Sequence, residues 1–382
     1  MTANSSSVSL SRVILIGGAL IALLVGSGFT TGQEIMQYFV AFEYAGIASI
    51  ALMLALFIYV STSFIAVGHE QQFDEPKNIY RYYCGRVIGT FFDYFSVIFL
   101  FMSFWVMIAG AGAAMHQQFG WPTWLGGLAM GAITLSTLLL GFNRLVDIVG
   151  SIGPVLTVLA ICIGIAGIIM APEGLARFPE ELPTLLADGK IMQASDNWFT
   201  ACASYVGFCM MWLAVFMTNL GKTANSKKEA CLGAGLGVLL FCLAVLALML
   251  GLSAHLGDVA GSQIPTLVLV EKLHPSLALA FAIVVFVAIF TTAAPLLWTP
   301  AKRFAPDEGS VKHRVLLIVL GVSGTLIGLT IPFDRLINVV YVINGYVGFL
   351  LFFLMLATDL RTRVLRPNAA KPGTPRENNP AA

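Results

Sequence analysis

Hydrophobic residues in this chain form ten long runs, and short polar connectors separate most of them. A helix needs about 20 consecutive apolar residues to cross the hydrocarbon core of a bilayer. The pattern therefore predicts ten transmembrane helices within one domain. The ten predicted segments are Val13–Val40, Gly46–Val67, Ile88–Met115, Leu125–Phe142, Leu145–Met170, Trp198–Leu220, Leu232–Leu256, Leu277–Leu297, Val315–Thr330 and Leu336–Thr358.

The composition supports the same class of protein. Of the 382 residues, 58% are hydrophobic and 11% are charged, and the mean hydropathy is +0.86. This balance predicts an all-α integral membrane protein. The net charge of +1 argues against nucleic acid as a partner, and the six cysteines follow no metal or redox spacing. We expect the lipid bilayer and a small solute as partners and no cofactor beyond a coupling ion. The oligomeric state stays open.

The orientation follows from the basic residues. Seventeen of the 21 Lys and Arg residues lie in loops on the side of the N-terminus or in the C-terminal tail. The positive-inside rule places that side in the cytoplasm, so we expect a multi-pass protein of the cell (inner) membrane with both termini cytoplasmic. The predicted domains are a cytoplasmic N-terminus (1–12), a transmembrane domain (13–363, with helices 1–5 at about 13–170 and helices 6–10 at about 198–358) and a disordered cytoplasmic tail (364–382).

Small and polar residues interrupt the first segment at its middle. The run is Gly26-Ser27-Gly28-Phe29-Thr30-Thr31-Gly32-Gln33-Glu34. Glycines weaken a helix, and an acid is costly at membrane depth unless it faces protein or water. Non-helical backbone inside a bilayer is tolerated only where it is buried in protein or lines a cavity. Its free carbonyls and the following half-helix can hold ions and charged groups. The run therefore predicts a solute-binding site near the middle of the membrane.

Ten helices divide into five plus five. A unit with an odd number of helices must be inverted when it is repeated in one chain, which is the architecture of many secondary transporters. The sixth segment should then be broken like the first. Its centre reads Ala203-Ser204-Tyr205-Val206-Gly207-Phe208-Cys209. We expect a second break there, and the alternative is that a single glycine only permits close packing of two helices.

The eighth segment carries oxygen atoms on one face. Positions i, i+3 and i+4 of a helix share a face, so the carbonyl of Ala288 and the hydroxyls of Thr291 and Thr292 can converge. Hard cations prefer several oxygen ligands. Together with carbonyls from the break in the first segment, these groups would form a five-oxygen Na⁺ site. The alternative is that both threonines bond to carbonyls of their own helix.

The pattern Gly-x-Gly-Phe-x-x-Gly-Gln-Glu in the first segment resembles the YkvI-type permeases of the amino acid–polyamine–organocation superfamily, which has the leucine-transporter fold. The resemblance covers most of the chain. It implies ten helices in a 5+5 inverted repeat with helices 1 and 6 broken. The Na⁺ ligands that it implies are Ala22, Val25, Ala288, Thr291 and Thr292. The substrate-binding residues that it implies are Gly26, Ser27, Gly28, Phe29, Thr30, Ser204, Tyr205, Val206, Gly207 and Phe208.

Glu34 is the strongest single candidate for ion or proton coupling, or for gating, because an acid inside a membrane segment is a functional hypothesis by default. In a continuous half-helix it stands one turn beyond Thr30, roughly 9 Å from the break at about 1.5 Å per residue. The alternative is a protonated or hydrogen-bonded acid that braces the outer half-helix.

The predicted function is secondary active transport of a small solute, an amino acid or similar zwitterion, by alternating access. Sodium is favoured as the coupling ion, because proton-coupled relatives can place a lysine in the fifth helix and Leu145–Met170 contains none. A proton-coupled transporter is one alternative. A membrane receptor subunit of the same fold that senses a solute without transporting it is another. We expect no enzymatic activity, because no nucleophile has a base in reach.

Overall fold

The computed structural model describes residues 8–140 and 146–361, and every regular element in those two ranges is a helix. The tail predicted at 364–382 lies outside the described residues. The helices are α1 (Leu10–Leu24), α2 (Ser27–Thr31), α3 (Gln33–Tyr38), α4 (Ala45–Gln71), α5 (Asn78–Phe119), α6 (Thr123–Leu140), α7 (Val146–Met170), α8 (Pro172–Ala187), α9 (Trp198–Thr223), α10 (Lys227–Ala254), α11 (Leu256–Val259), α12 (Pro265–Leu273), α13 (Pro275–Phe304), α14 (Val311–Gly328) and α15 (Phe333–Asp359).

Within the described ranges, nine helices are long and apolar enough to cross a membrane. They are α4, α5, α6, α7, α9, α10, α13, α14 and α15. Helix α1 has 15 residues and is shorter than a full span. Together with α2 and α3 it forms the first of ten spanning segments. Helices α8, α11 and α12 lie in connections on the predicted outer side. The predicted number of segments is therefore confirmed.

The first segment is interrupted at two points. Helix α1 ends at Leu24, and Gly26 has extended backbone (φ −94°, ψ −167°). The short helix α2 follows, and Gly32 then adopts the left-handed conformation (φ 82°, ψ −3°) before α3 begins. Glycine takes this conformation without the strain that a Cβ would cause. The predicted break is confirmed, and the second interruption at Gly32 redirects the chain beyond it.

The sixth spanning segment is one continuous helix, α9, so the predicted break at its centre is wrong. Its glycine allows close packing against α15 instead. The carbonyl of Gly345 lies against Gly207, and the carbonyl of Gly207 lies against Gly348, so that a Cβ at 207 or 348 would overlap backbone of the facing helix. Small residues let two membrane helices approach to backbone contact in this way. A helix with satisfied internal hydrogen bonds also avoids the cost of exposing backbone groups in lipid.

We expect Gly207→Ala to destabilise the folded protein by about 1–3 kcal/mol, because overpacking a close contact forces backbone shifts. The measurement is the midpoint of thermal unfolding of the purified protein. The matched control is Gly235→Ala in α10, where a Cβ would meet nothing within 4 Å. That change should be neutral or stabilising by up to about 1 kcal/mol, through helix propensity alone. Equal effects at the two positions would contradict the packing argument.

Polar contacts connect neighbouring helices on the predicted cytoplasmic side. The backbone N–H of Ser9 donates to the carboxylate of Glu229 at 3.1 Å, and the guanidinium of Arg12 donates to the carbonyl of Thr223 at 2.9 Å. These two bonds hold the start of α1 against the end of α9 and the start of α10. Asp93 of α5 and Arg303 of α13 form an ion pair at 2.7 Å on the same side.

Candidate functional site

The interrupted stretch of the first segment lies inside the bundle, and all of α2 is buried. The N–H of Gly26 donates to the carbonyl of Leu24 at 3.0 Å, so it does not reach Ala22 as it would in a continuous helix. Among the described residues, no hydrogen bond ends on the carbonyl of Ala22 or of Val25. The break therefore leaves two carbonyl oxygens without hydrogen bonds, at the two positions that the resemblance implies as Na⁺ ligands.

Glu34 lies beside the break. Its carboxyl group is so close to Gly28 that a Cβ at position 28 would overlap it. The side chain is only 2% exposed. The predicted separation of about 9 Å was for one continuous helix, and the left-handed turn at Gly32 interrupts that helix between Gly28 and Glu34. Glu34 and the glycines of the break thus belong to one site.

A set of aromatic rings packs next to this acid. The hydroxyl of Tyr205 donates to the carboxylate of Glu34 at 3.1 Å. The centroid of the Tyr205 ring lies 5.2 Å from that of Tyr38 and 4.9 Å from that of Phe208, and Phe208 stacks on Tyr341 at 4.7 Å. We call seven of these connected rings the aromatic cluster. Its members are Tyr38, Phe39, Phe57, Tyr205, Phe208, Trp212 and Tyr341.

The predicted residues of the sixth segment divide between two faces of α9. Tyr205 and Phe208 point into the aromatic cluster, next to Glu34. Ser204 and Gly207 lie on the face that contacts α15, where the Ser204 hydroxyl donates to the carbonyl of Val342 at 3.3 Å. The structure therefore brings Tyr205 and Phe208 to the break of the first segment and leaves Ser204 and Gly207 in a helix–helix contact.

The threonines of the eighth segment lie at the other side of the break. The hydroxyls of Thr291 and Thr292 both donate to the carbonyl of Ala288, at 2.9 Å and 3.0 Å. This is the bonding to their own helix that the sequence left open as an alternative. A hydroxyl that donates its proton keeps oxygen lone pairs. The Thr292 methyl lies 4.0 Å from the position of a Cβ on Gly26, so the pair is adjacent to the free carbonyls. Hydroxyl and carbonyl oxygens are ligands of the kind that hard cations prefer.

Sequence reasoning missed most of the aromatic cluster. Tyr38 follows Glu34 by four positions, which places both on one face of a helix, and this spacing was a usable signal. Phe57 of α4 and Trp212 of α9 carried no such signal, because large aromatic residues are common in apolar segments. Tyr341 of α15 belonged to a run of polar positions whose partner helix was unknown.

A small cavity borders the residues that follow the break. The cavity beside Phe29 and Thr30 measures about 10 Å³, which is near the space that one water molecule needs. The cavity is therefore too small for a molecule of several atoms. Glu34 and the aromatic cluster are not among the residues that line it.

The described architecture defines a fold class: it is the leucine-transporter fold. MhsT, solved in complex with L-phenylalanine, superposes with a TM-score of 0.60 at 15% identity, over 92% of this chain and 89% of MhsT. The nucleobase-cation-symport-1 family transporter MHP1, solved in a closed conformation with bromovinylhydantoin, superposes with a TM-score of 0.53 at 14% identity, over 95% of this chain and 82% of MHP1. The predicted all-α fold class is confirmed, except for the break in the sixth segment.

At the level of sequence, this chain is similar to two proteins of Bacillus subtilis. The uncharacterized membrane protein YkvI is 21% identical over 342 residues, which is 86% of this chain and 90% of YkvI. The uncharacterized protein YyaD is 24% identical over 339 residues, which is 88% of this chain and 94% of YyaD. No protein-family profile matches the chain. The predicted resemblance to YkvI is confirmed.

Proposed function

We propose that this protein is a secondary active transporter that moves a small solute by alternating access. The solute is an amino acid or a similar zwitterion, and Na⁺ drives its uptake. The protein lies in the cell (inner) membrane with both termini in the cytoplasm. The observation that carries the proposal is the doubly interrupted first segment, which buries Glu34 against Gly28 and beside Tyr205.

The fold supports this proposal through its neighbours. MHP1 is a transporter, and MhsT was solved with an amino acid bound. A site at the middle of a ten-helix bundle can open to either side when helices tilt around it. The contacts of Ser9 and Arg12 on the predicted cytoplasmic side fit a state in which that side is shut. Glu34 is the proposed coupling or gating group, because it connects the broken segment with α9.

Ala22, Val25, Ala288, Thr291 and Thr292 would hold the Na⁺. A bound cation there would supply positive charge between the first and eighth segments and so favour one arrangement of the two. The carbonyls of Ala22 and Val25 are free to accept it, and the threonine hydroxyls retain lone pairs. Coupling to protons is the second candidate, and the burial of Glu34 is the specific observation in its favour.

The test is uptake by the purified protein in proteoliposomes. A panel of labelled amino acids is supplied outside, with an inward Na⁺ gradient, an inward proton gradient or no gradient. We expect uphill accumulation of at least one amino acid with the Na⁺ gradient. Accumulation with the proton gradient alone would show that the coupling ion is H⁺ and not Na⁺. Binding without uptake or counterflow of any labelled solute would instead identify a solute-sensing receptor, and the transport proposal would fail.

A further inference from the structure

We propose that Glu34 and the aromatic cluster form the subsite for a positively charged amine, so that the ammonium group of the solute is the feature this protein recognises. The inference rests on the proposed function only for the assumption that a small solute binds at the break. It goes beyond the proposed function because it assigns the chemical class: amines that lack a carboxylate should bind, and carboxylates that lack an amine should not.

The first argument is the charge of Glu34. Its carboxyl group is buried, and in the described part of the chain no Lys, Arg or His side chain pairs with it. Its described side-chain hydrogen-bond partner is the neutral hydroxyl of Tyr205. An isolated buried carboxylate is very costly, so the group needs either a proton or a cation beside it. A cationic solute supplies that charge when it binds.

The second argument is the surroundings of the carboxyl group. The ring centroids of Tyr38 and Phe39 each lie 5.2 Å from the ring centroid of Tyr205, whose hydroxyl donates to Glu34. Aromatic faces attract cations, and rings around an ammonium group are a recurring way to bind it. The hydroxyls of Ser27 and Tyr341 are fully buried and have no hydrogen-bond partner among the described residues. An ammonium group has three donors and no acceptor, so it can use oxygen atoms that still lack one.

The third argument concerns the groups that this subsite excludes. A metal cation prefers several oxygen ligands, whereas the described side-chain hydrogen bond of Glu34 brings one hydroxyl oxygen, that of Tyr205. A solute carboxylate placed at Gly28 would meet the carboxyl group of Glu34, because that group already lies against Gly28. Like charges at this distance repel strongly in a buried site. The carboxylate of a zwitterion must therefore point away from Gly28, and its ammonium group must point towards Glu34.

The experiment measures thermal unfolding of the full-length purified protein with matched sets of ligands. Each set shares one carbon skeleton and contains an amine, an amino acid and a carboxylic acid. The sets are methylamine, glycine and acetate; isoamylamine, leucine and isocaproate; and phenethylamine, phenylalanine and hydrocinnamate. We expect the amine and the amino acid of at least one set to raise the unfolding midpoint, and the carboxylic acid of that set to leave it unchanged.

The variant for this test is Glu34→Gln, which keeps the shape and the acceptor for Tyr205 but cannot ionise. It should lose the stabilisation by the amine and by the amino acid. The matched control is Glu43→Gln, which removes a carboxylate nine residues further along the chain, beyond the end of the first segment, and should keep both. Size-exclusion chromatography and a cooperative unfolding transition show whether each variant is folded. If Glu34→Gln does not fold, the comparison of amine and acid on the wild-type protein still decides the proposal.

Three results would overturn the inference: stabilisation by a carboxylic acid equal to that by its amine, stabilisation that survives in folded Glu34→Gln, or no stabilisation by any amine-bearing ligand. The failure of the inference is separable from the failure of the proposed function. If a labelled solute shows counterflow but amines are not preferred, the transport proposal stands and the amine subsite is rejected. If amines bind but no solute shows counterflow, the amine subsite stands and the transport proposal is rejected.

Discussion

We expect Gly28→Ala to weaken solute binding about tenfold or more while the protein still folds and inserts. The new methyl group would overlap the carboxyl group of Glu34, which must then turn away from the break. Displacing a buried charged group from its partner costs at least about 1.4 kcal/mol, and affinity should therefore fall on the order of tenfold or more. The measurement is the shift of the unfolding midpoint by an amino acid that stabilises the wild-type protein, followed by uptake in proteoliposomes.

The matched control for this prediction is Gly18→Ala in α1. A Cβ at position 18 would make an ordinary contact of 3.4 Å with the Pro154 ring. That variant should bind and transport as the wild-type protein does. Unchanged affinity in Gly28→Ala would show that the solute does not use this side of the break, and the position of the site would have to be revised.

We expect the double change Thr291→Val and Thr292→Val to abolish stabilisation by Na⁺. Valine keeps the shape of threonine and removes the hydroxyl oxygen, so the cation would lose two ligands at once. With Na⁺ at about 100 times its Kd, a single site stabilises the folded state by about 2.7 kcal/mol. The measurement is the unfolding midpoint in Na⁺ and in an equal concentration of choline, for the wild-type and the double variant.

Thr325→Val serves as the control for the threonine pair. Thr325 is buried, and its hydroxyl donates to the carbonyl of Gly321 at 2.7 Å, so the change removes the same kind of bond within a different helix. It should leave the response to Na⁺ intact. A Na⁺ response that persists in the double variant would mean that Thr291 and Thr292 bond only to Ala288, as they do in the structure.

The hydrophobic pattern was sufficient to predict an all-α membrane protein with ten spanning segments, and the family resemblance supplied the leucine-transporter fold. The number of spanning segments and the break at Gly26 follow from properties that each stretch carries by itself, namely apolar length and helix-weakening glycines. The same reasoning failed at Gly207. A glycine in an apolar helix weakens it or lets a neighbour approach, and only the position of Gly345 and Gly348 on the facing helix decides between these effects.

The candidate site was predictable in part for a related reason. Gly28, Glu34 and Tyr205 are unusual in their local sequence and could be selected without a structure. Their mutual contact could not be predicted, because it depends on one backbone angle: the positive φ of Gly32 turns α3 back towards α2. Rings such as Phe57 and Trp212 become part of the site only through the packing of α4 and α9 around that turn.

The backbone contact between α9 and α15 has a mechanical consequence. Helices that interlock at Gly207, Gly345 and Gly348 without intervening side chains cannot slide past each other, since any shift along the axis drives a carbonyl into a neighbouring Cα. Tyr205 lies on α9 and Tyr341 lies on α15, and the ring of Phe208 packs against both. We therefore expect α9 and α15 to move together as one rigid unit. Because α9 is continuous from Trp198 to Thr223, a displacement at one end of this helix should also displace the other end.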